Sequence, residues 1–155
     1  MIREANVNDT VAIISLIKEL AKYENLNSEV DIDEATFRSH LFEKKLANAL
    51  VAEVDSEIVG YAIYFYSFST FLGRSGIYLE DLYVKKEHRS RGLGLGLIKT
   101  LSQICEHEGF GRLEWECLYW NEPSIKFYES LGAKRQSGWI KFRLTRDEIA
   151  KLNKQ

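Results

Sequence analysis

Apolar positions along this chain change their period several times, and each change predicts an element. Ile13, Leu16, Ile17 and Leu20 fall at i, i+3, i+4 and i+7, one face of an α-helix. Asn8 or Asp9 stands just before that face, where a side-chain oxygen can accept the free N–H groups of a first turn. A short strand, "MIREA", precedes it. A second helix is expected from about Asp33 to Glu43, with Phe37 and Leu41 inward. "ALVAEV" and "EIVGYAIYFYSF" are rich in β-branched and aromatic residues and flank Asp55-Ser56, a hairpin signal. "GIYLEDLYV" reads as the next strand and runs straight into "HRSRGLGLG". From Leu93 the helical period returns: Leu97, Ile98, Leu101, Ile104 and Cys105 make one face, and Gly109 ends it. "RLEWECLYW" reads as a strand. "EPSIKFYESLG" reads as a short helix, with Pro123 in its first turn and Gly132 at its end, where each is favoured. "WIKFRL" alternates as a strand, and Thr145 with Glu148 forms a capping box for a last helix. The order βααβββαβαβ, with a final helix, predicts an α/β (α+β) fold. Its sheet is mixed and mostly antiparallel, with one β-α-β crossover in the middle.

Composition narrows the class of function. The 155 residues suit a single domain, 1–155, with a real core. A net charge of −2 offers no global basic field, so nucleic acid is not an expected partner. No apolar run approaches the roughly 20 residues that span a bilayer, and "MIREANVNDT" lacks the apolar core of a signal peptide, so no membrane partner is expected. Cys105 and Cys117 have no metal or redox spacing and read as small core residues. That usage fits a reducing compartment, the cytoplasm. His40, His88 and His107 are scattered and make no metal constellation.

The glycine stretch asks for chemistry. Arg89, Ser90, Arg91, Gly92, Leu93, Gly94 and Leu95 lie between a strand and a helix. The spacing is not that of a dinucleotide-binding fingerprint, and a P-loop's Gly-Lys-Ser/Thr is absent. A helix start carries outward N–H groups and positive potential, which suit an anion of the pyrophosphate type. Glycine permits close approach, and arginine adds charge-assisted bonds. A glycine-rich turn with solvated arginines would read the same way.

The stretch resembles the Arg/Gln-x-x-Gly-x-Gly/Ala motif of the GCN5-related N-acetyltransferases. "IKELAKYE", "IYLEDLYV", "GLGLIKTLSQ" and "WNEPSIKFYESLGA" stand in the order and spacing of the diamine acetyltransferases, the spermidine/spermine and thialysine-acetylating types. The likeness runs from "IREA" to "GWIKF". It implies that fold with splayed central strands, acetyl-CoA as cosubstrate, no metal, a small-molecule amine as acceptor, and a homodimer.

The resemblance also implies roles. Residues 89–95 would hold the pyrophosphate. Leu82, Tyr83 and Val84 would pair with the pantetheine arm like an added strand, and Asn121 and Ser124 would touch the cofactor. Tyr128 would be the general acid for the leaving thiolate, although it also shares a core-like face with Ser124, Phe127 and Leu131. Glu80, the candidate base, and Asp81 are neighbours. On a regular strand they face opposite ways, so a shared pocket requires a bulge. Tyr23, Glu24, Glu80, Asp81 and Trp120 match acceptor-side positions. Glu114 and Glu116 are further candidates on a strand face that solvation explains equally well. The sequence departs from the polyamine enzymes at "AKRQSGW", where Ser137 stands in place of an acid before Gly138. One carboxylate of the polyamine pocket is thereby lost, which favours a shorter amine such as thialysine. Alternatives from other classes are a protein or peptide N-acetyltransferase and a non-catalytic acetyl-CoA-binding module. The bulky "FSTFLG" loop favours a closed pocket over a peptide groove.

Overall fold

Asp55 and Ser56 both adopt left-handed backbone, with φ of 49° and 64°, and turn the chain in the tight hairpin that two positive φ angles produce. This joins β2 (Asn48–Val54) to β3 (Glu57–Ser69), and β3 returns against β4 (Arg74–Val84). The computed structural model describes residues 1–155 and divides into two compact units, Met1–Leu118 and Tyr119–Gln155.

The first unit is a five-stranded sheet in the order β1-β2-β3-β4-β5, where β1 is Ile2–Glu4 and β5 is Leu113–Trp115. The first four strands are antiparallel, and β5 lies parallel to β4. The long helix α3 (Leu93–Glu108) makes the crossover between them. Alternation within the strands gives each face its own core. One face presents Leu50, Ala52, Ala62, Tyr64, Ile77 and Leu79 to Leu97 and Leu101 of α3. The other presents Val51, Tyr61 and Tyr83 to Ile13 and Leu16 of α1 (Thr10–Tyr23) and to Leu41. Leu41 lies in a π-helical turn, Ser39–Glu43, that continues α2 (Glu34–Arg38). Full burial of each such side chain contributes about 1.5–3 kcal/mol before the cost of ordering it.

The expected cap of α1 takes a different form. Asp9 does occupy the N-cap position, but its side chain makes no capping bond. Both of its oxygens accept from the Arg3 guanidinium, at 2.8 and 3.0 Å, and one also accepts from the backbone N–H of Asn6. A bidentate charged pair outcompetes a neutral amide, so this carboxylate ties β1 to the start of α1. The expected strand at "RLEWECLYW" is only three residues long. Cys117 lies past its end and is exposed, contrary to the core position expected of it.

The second unit holds α4 (Glu122–Ser130) and α5 (Arg146–Leu152). The predicted capping box is present: Thr145 Oγ1 accepts from Glu148 N, and Glu148 accepts from Thr145 N. The strand expected at "WIKFRL" is absent. Trp139, Ile140 and Phe142 are 82%, 83% and 91% exposed. Period-2 alternation specifies faces but supplies no partner, and a strand is stable only within a ladder. The second unit by itself offers none.

Candidate active site

The site begins where the β3–β4 ladder slips. Ile63 pairs with Asp81, but the next residue, Tyr64, pairs with Leu79, so Glu80 is the extra residue of a β-bulge. The side chains β4 sends into the α3-side core confirm the slip: Ile77, Leu79, Leu82 and Val84. The step from Leu79 to Leu82 is three residues in place of two, and neither Glu80 nor Asp81 enters that core. The bulge expected at this acidic pair is therefore present.

The two carboxylates nevertheless work in different surroundings. Asp81 accepts a hydrogen bond from the buried Tyr61 hydroxyl at 2.9 Å. Burial raises its pKa, and the Tyr61 bond pulls it back. Glu24, which caps the C-terminus of α1, is also pushed up, first by burial and then by the charge of Asp81. Glu80 is exposed and belongs with Glu114 and Glu116 around Tyr78. Burial pushes the Tyr78 phenol above its ordinary range; its bond to Glu116 at 2.9 Å and the charges of Glu116, Glu80 and Glu114 add to the shift. Glu114 pairs with Arg112 at 3.3 Å. The five acidic candidates thus resolve into a half-buried pair, Glu24 and Asp81, and a more exposed trio, Glu80, Glu114 and Glu116, at the β4–β5 edge. From the sequence, Tyr61 and Tyr78 read only as strand formers, and Tyr83 as a partner of the pantetheine arm. Their phenols all donate to carboxylates, Tyr83 to that of Glu19 on α1, and only the tertiary arrangement reveals it.

The parting of β4 from β5 follows directly. Their ladder runs from Ile77/Leu113 to Leu79/Trp115 and stops. Glu80–Val84 continue with β3 as their ladder partner, so Leu82, Tyr83 and Val84 carry an edge free of β5. An extended arm can add there as a strand.

Beyond β4 the chain enters the glycine stretch. Ser90 and Gly92 both adopt left-handed backbone, φ 61° and 78°, and Gly92 is the N-cap of α3 with no side-chain capping bond. Gly96 N donates to Gly92 O at 2.8 Å, the first bond of the helix. The N–H groups of Leu93, Gly94 and Leu95 precede that bond and point outward. The first turn carries no acidic residue. The three glycines serve different ends. Gly92 needs its positive φ. A Cβ on Gly96 would come within 2.6 Å of Ile2 Cδ1, so Gly96 lets α3 pack on β1. A Cβ on Gly94 would meet no protein atom within 4 Å. The protein's own packing makes no demand there, which fits a glycine kept clear for an approaching phosphate.

Arg89 is aimed elsewhere. Its guanidinium lies 5.5 Å from the Tyr23 ring centre and 5.4 Å from that of Tyr83, and its Nε donates to Val84 O at 2.9 Å. It therefore fastens the end of α1 to β4. Arg91 is exposed beside it.

The remaining candidates belong to the second unit. Asn121 caps α4, its side chain accepting from Ser124 N, so these two are held as a pair. Trp120 precedes the cap, and Tyr128 lies on α4 with its ring 5.5 Å from that of Phe127.

Residues 13–133 match the model of the acetyltransferase (GNAT) family. The chain belongs to that family. It is also 38% identical to the thialysine N-epsilon-acetyltransferase of Bos taurus, across 98% of this chain and 96% of that protein. A spermidine/spermine N(1)-acetyltransferase-like protein 1 of Homo sapiens is 33% identical across 96% of this chain and 23% of that protein. These relatives place the chain in the diamine acetyltransferase branch, as an N-acetyltransferase. A solved integron cassette protein from V. cholerae superposes with a TM-score of 0.82 over 100% of this chain and 98% of its own, at 24% identity, which shows the same fold. Enzymes of this family use acetyl-CoA as cosubstrate. No helix here is long and apolar enough to cross a membrane.

Proposed function

We propose that this acetyltransferase moves the acetyl group of acetyl-CoA directly to a small primary amine, with thialysine-like amino acids or short diamines as its best acceptors. The observation that carries the reading is the half-buried carboxylate pair, Glu24 and Asp81, beside an edge of β4 that is free of β5. Two carboxylates in one half-buried corner are costly unless a cation joins them.

Acetyl-CoA supplies the activated thioester. The N–H groups of Leu93, Gly94 and Leu95 and the exposed Arg91 bind its pyrophosphate, with Ser90 and Gly92 shaping the turn. Leu82, Tyr83 and Val84 align the pantetheine arm, and Asn121 and Ser124 add contacts. Arg89 acts by holding the turn against Tyr23 and Tyr83. Asp81 and Glu24 take the cationic end of the acceptor, with Tyr23 and Trp120 as aromatic walls. The reacting nitrogen must be neutral to attack, and Glu80 takes its proton, directly or through water. Tyr128 gives a proton to the departing sulfur. Glu114 and Glu116, already bonded to Arg112 and Tyr78, set the charge of the rim. Ser137, in place of an acid, favours acceptors shorter than spermine, and the thialysine enzymes among the relatives support that preference. The same reading takes residues 1–155 as one acetyltransferase domain of a cytoplasmic homodimer, in keeping with two free cysteines.

A thiol-release assay on Glu80→Gln/Asp81→Asn tests this reading. The KM for a short diamine should rise at least tenfold, with the KM for acetyl-CoA within about twofold of the parent. Equal changes in both constants, or none, would refute the acceptor assignment.

A further inference from the structure

We propose that Tyr61 is a positioning residue for the acceptor: its hydroxyl holds the Asp81 carboxylate in the orientation that receives the cationic end of the amine. The inference rests on the acceptor reading above and extends it to a residue that touches neither substrate.

Tyr61 is completely buried, 0% exposed. Its ring packs in the α1-side core with Ile13, Leu16 and Val51, and its register partner on β4 is Tyr83. Asp81 is two residues from Tyr83 and pairs with Ile63. The tyrosine therefore reaches Asp81 along the diagonal of the ladder, a span that a long aromatic side chain covers. Its hydroxyl donates to Asp81 Oδ2 at 2.9 Å. Packing alone does not account for that hydroxyl. Phenylalanine would fill the same core, and a buried hydroxyl costs stability unless it is bonded. The partner it has is a carboxylate beside the bulge, at the corner where the acceptor's charge must sit.

The bond has two effects. It fixes one carboxylate oxygen and leaves Oδ1 for an ammonium group. It also favours the anionic form of Asp81 against the burial that disfavours it. The other groups around Asp81 work the opposite way or are already engaged. Glu24, from the end of α1, is a like charge. Glu80 is the neighbouring acid on the bulge. Tyr83, on the same strand, donates to Glu19 and carries Arg89 against its ring. Tyr61 is the donor that Asp81 receives from β3.

The test compares Tyr61→Phe, Asp81→Asn and the double variant in the full chain, with thialysine and 1,3-diaminopropane as acceptors. Tyr61→Phe should raise the KM for the amines about tenfold, leave that for acetyl-CoA unchanged, and move the acidic limb of kcat/KM about one unit to higher pH, the same tenfold effect. In the Asp81→Asn background it should add nothing. Site-specific 3-fluorotyrosine at position 61, a stronger donor that keeps the ring, should move the acidic limb to lower pH and serves if Tyr61→Phe does not fold. An Asp81→Asn effect without any Tyr61→Phe or fluorotyrosine effect overturns the positioning role and leaves the acceptor reading standing. An Asp81→Asn variant with unchanged amine KM overturns both.

Discussion

Three glycines, Gly92, Gly94 and Gly96, lie within five residues, and alanine or valine at each should fail in a different way. Gly94 is the decisive one. It is the second residue of α3, and its Cβ would meet no protein atom within 4 Å. Alanine there gains helix propensity, worth about 0.5 kcal/mol near a helix end against about 1 kcal/mol in an interior. For a chain of this size that raises Tm by about 1–2 °C. Under the proposed pyrophosphate site, the same methyl group would stand in the path of the phosphate. Acetyl-CoA affinity should fall at least tenfold, or about 1.4 kcal/mol. Stability and binding thus move in opposite directions. At Gly92, with φ of 78°, valine meets the left-handed penalty of about 2 kcal/mol, and both quantities should fall. At Gly96 an alanine Cβ would lie 2.6 Å from Ile2 Cδ1. That side chain can rotate away, so the variant should lose about 1 kcal/mol and bind acetyl-CoA normally. Thermal unfolding and calorimetric titration of the three variants read both axes. Undiminished affinity in Gly94→Ala, or equal loss of affinity in Gly96→Ala, would refute the division of labour.

Tyr128→Phe should lower kcat about 100-fold or more while leaving the KM for acetyl-CoA nearly unchanged, because the thiolate charge develops only in the transition state; steady-state kinetics check this. Asp9→Asn should cost about 1–2 kcal/mol at pH 7, since it removes one of the two carboxylates paired with Arg3 and leaves only Glu53. Arg3 holds the Asp9 pKa below its ordinary value, so the contribution is present above about 3.8 and is lost as pH falls through the lower folded value. Denaturation of parent and variant at pH 7 and pH 3 should show the gap closing in acid.

Local chemistry was legible in the sequence wherever a few neighbouring residues decide the outcome. Asp55-Ser56 turns the hairpin, Gly109 ends α3 with φ of 69°, and Thr145 with Glu148 builds its box. The bulge at Glu80 was legible for a different reason: adjacent residues of a regular strand face opposite ways, so two acids placed by the family resemblance in one pocket require a distorted strand. What the sequence hid was register. Tyr61 and Asp81 are twenty residues apart, and no local pattern says that one lies diagonal to the other. Nor does composition reveal that Glu80 joins Glu114 and Glu116 around Tyr78 while Asp81 joins Glu24. Competition was hidden as well. Asp9 reads as a cap until Arg3 is seen to claim it, and Arg89 reads as a phosphate ligand until the rings of Tyr23 and Tyr83 are seen around it. "WIKFRL" marks the reverse error, an alternation with the right period and no ladder partner within its own unit.

Acceptor choice tests the account most directly. Initial rates of CoA release with saturating acetyl-CoA should be measured for thialysine, 1,3-diaminopropane, spermidine, spermine and a peptide with a free N-terminus, each across neutral to alkaline pH. The account predicts the highest kcat/KM for thialysine or the short diamine, with the rate rising with pH as the reacting amine loses its proton. A clear preference for spermine, or for the peptide over every small amine, would contradict it.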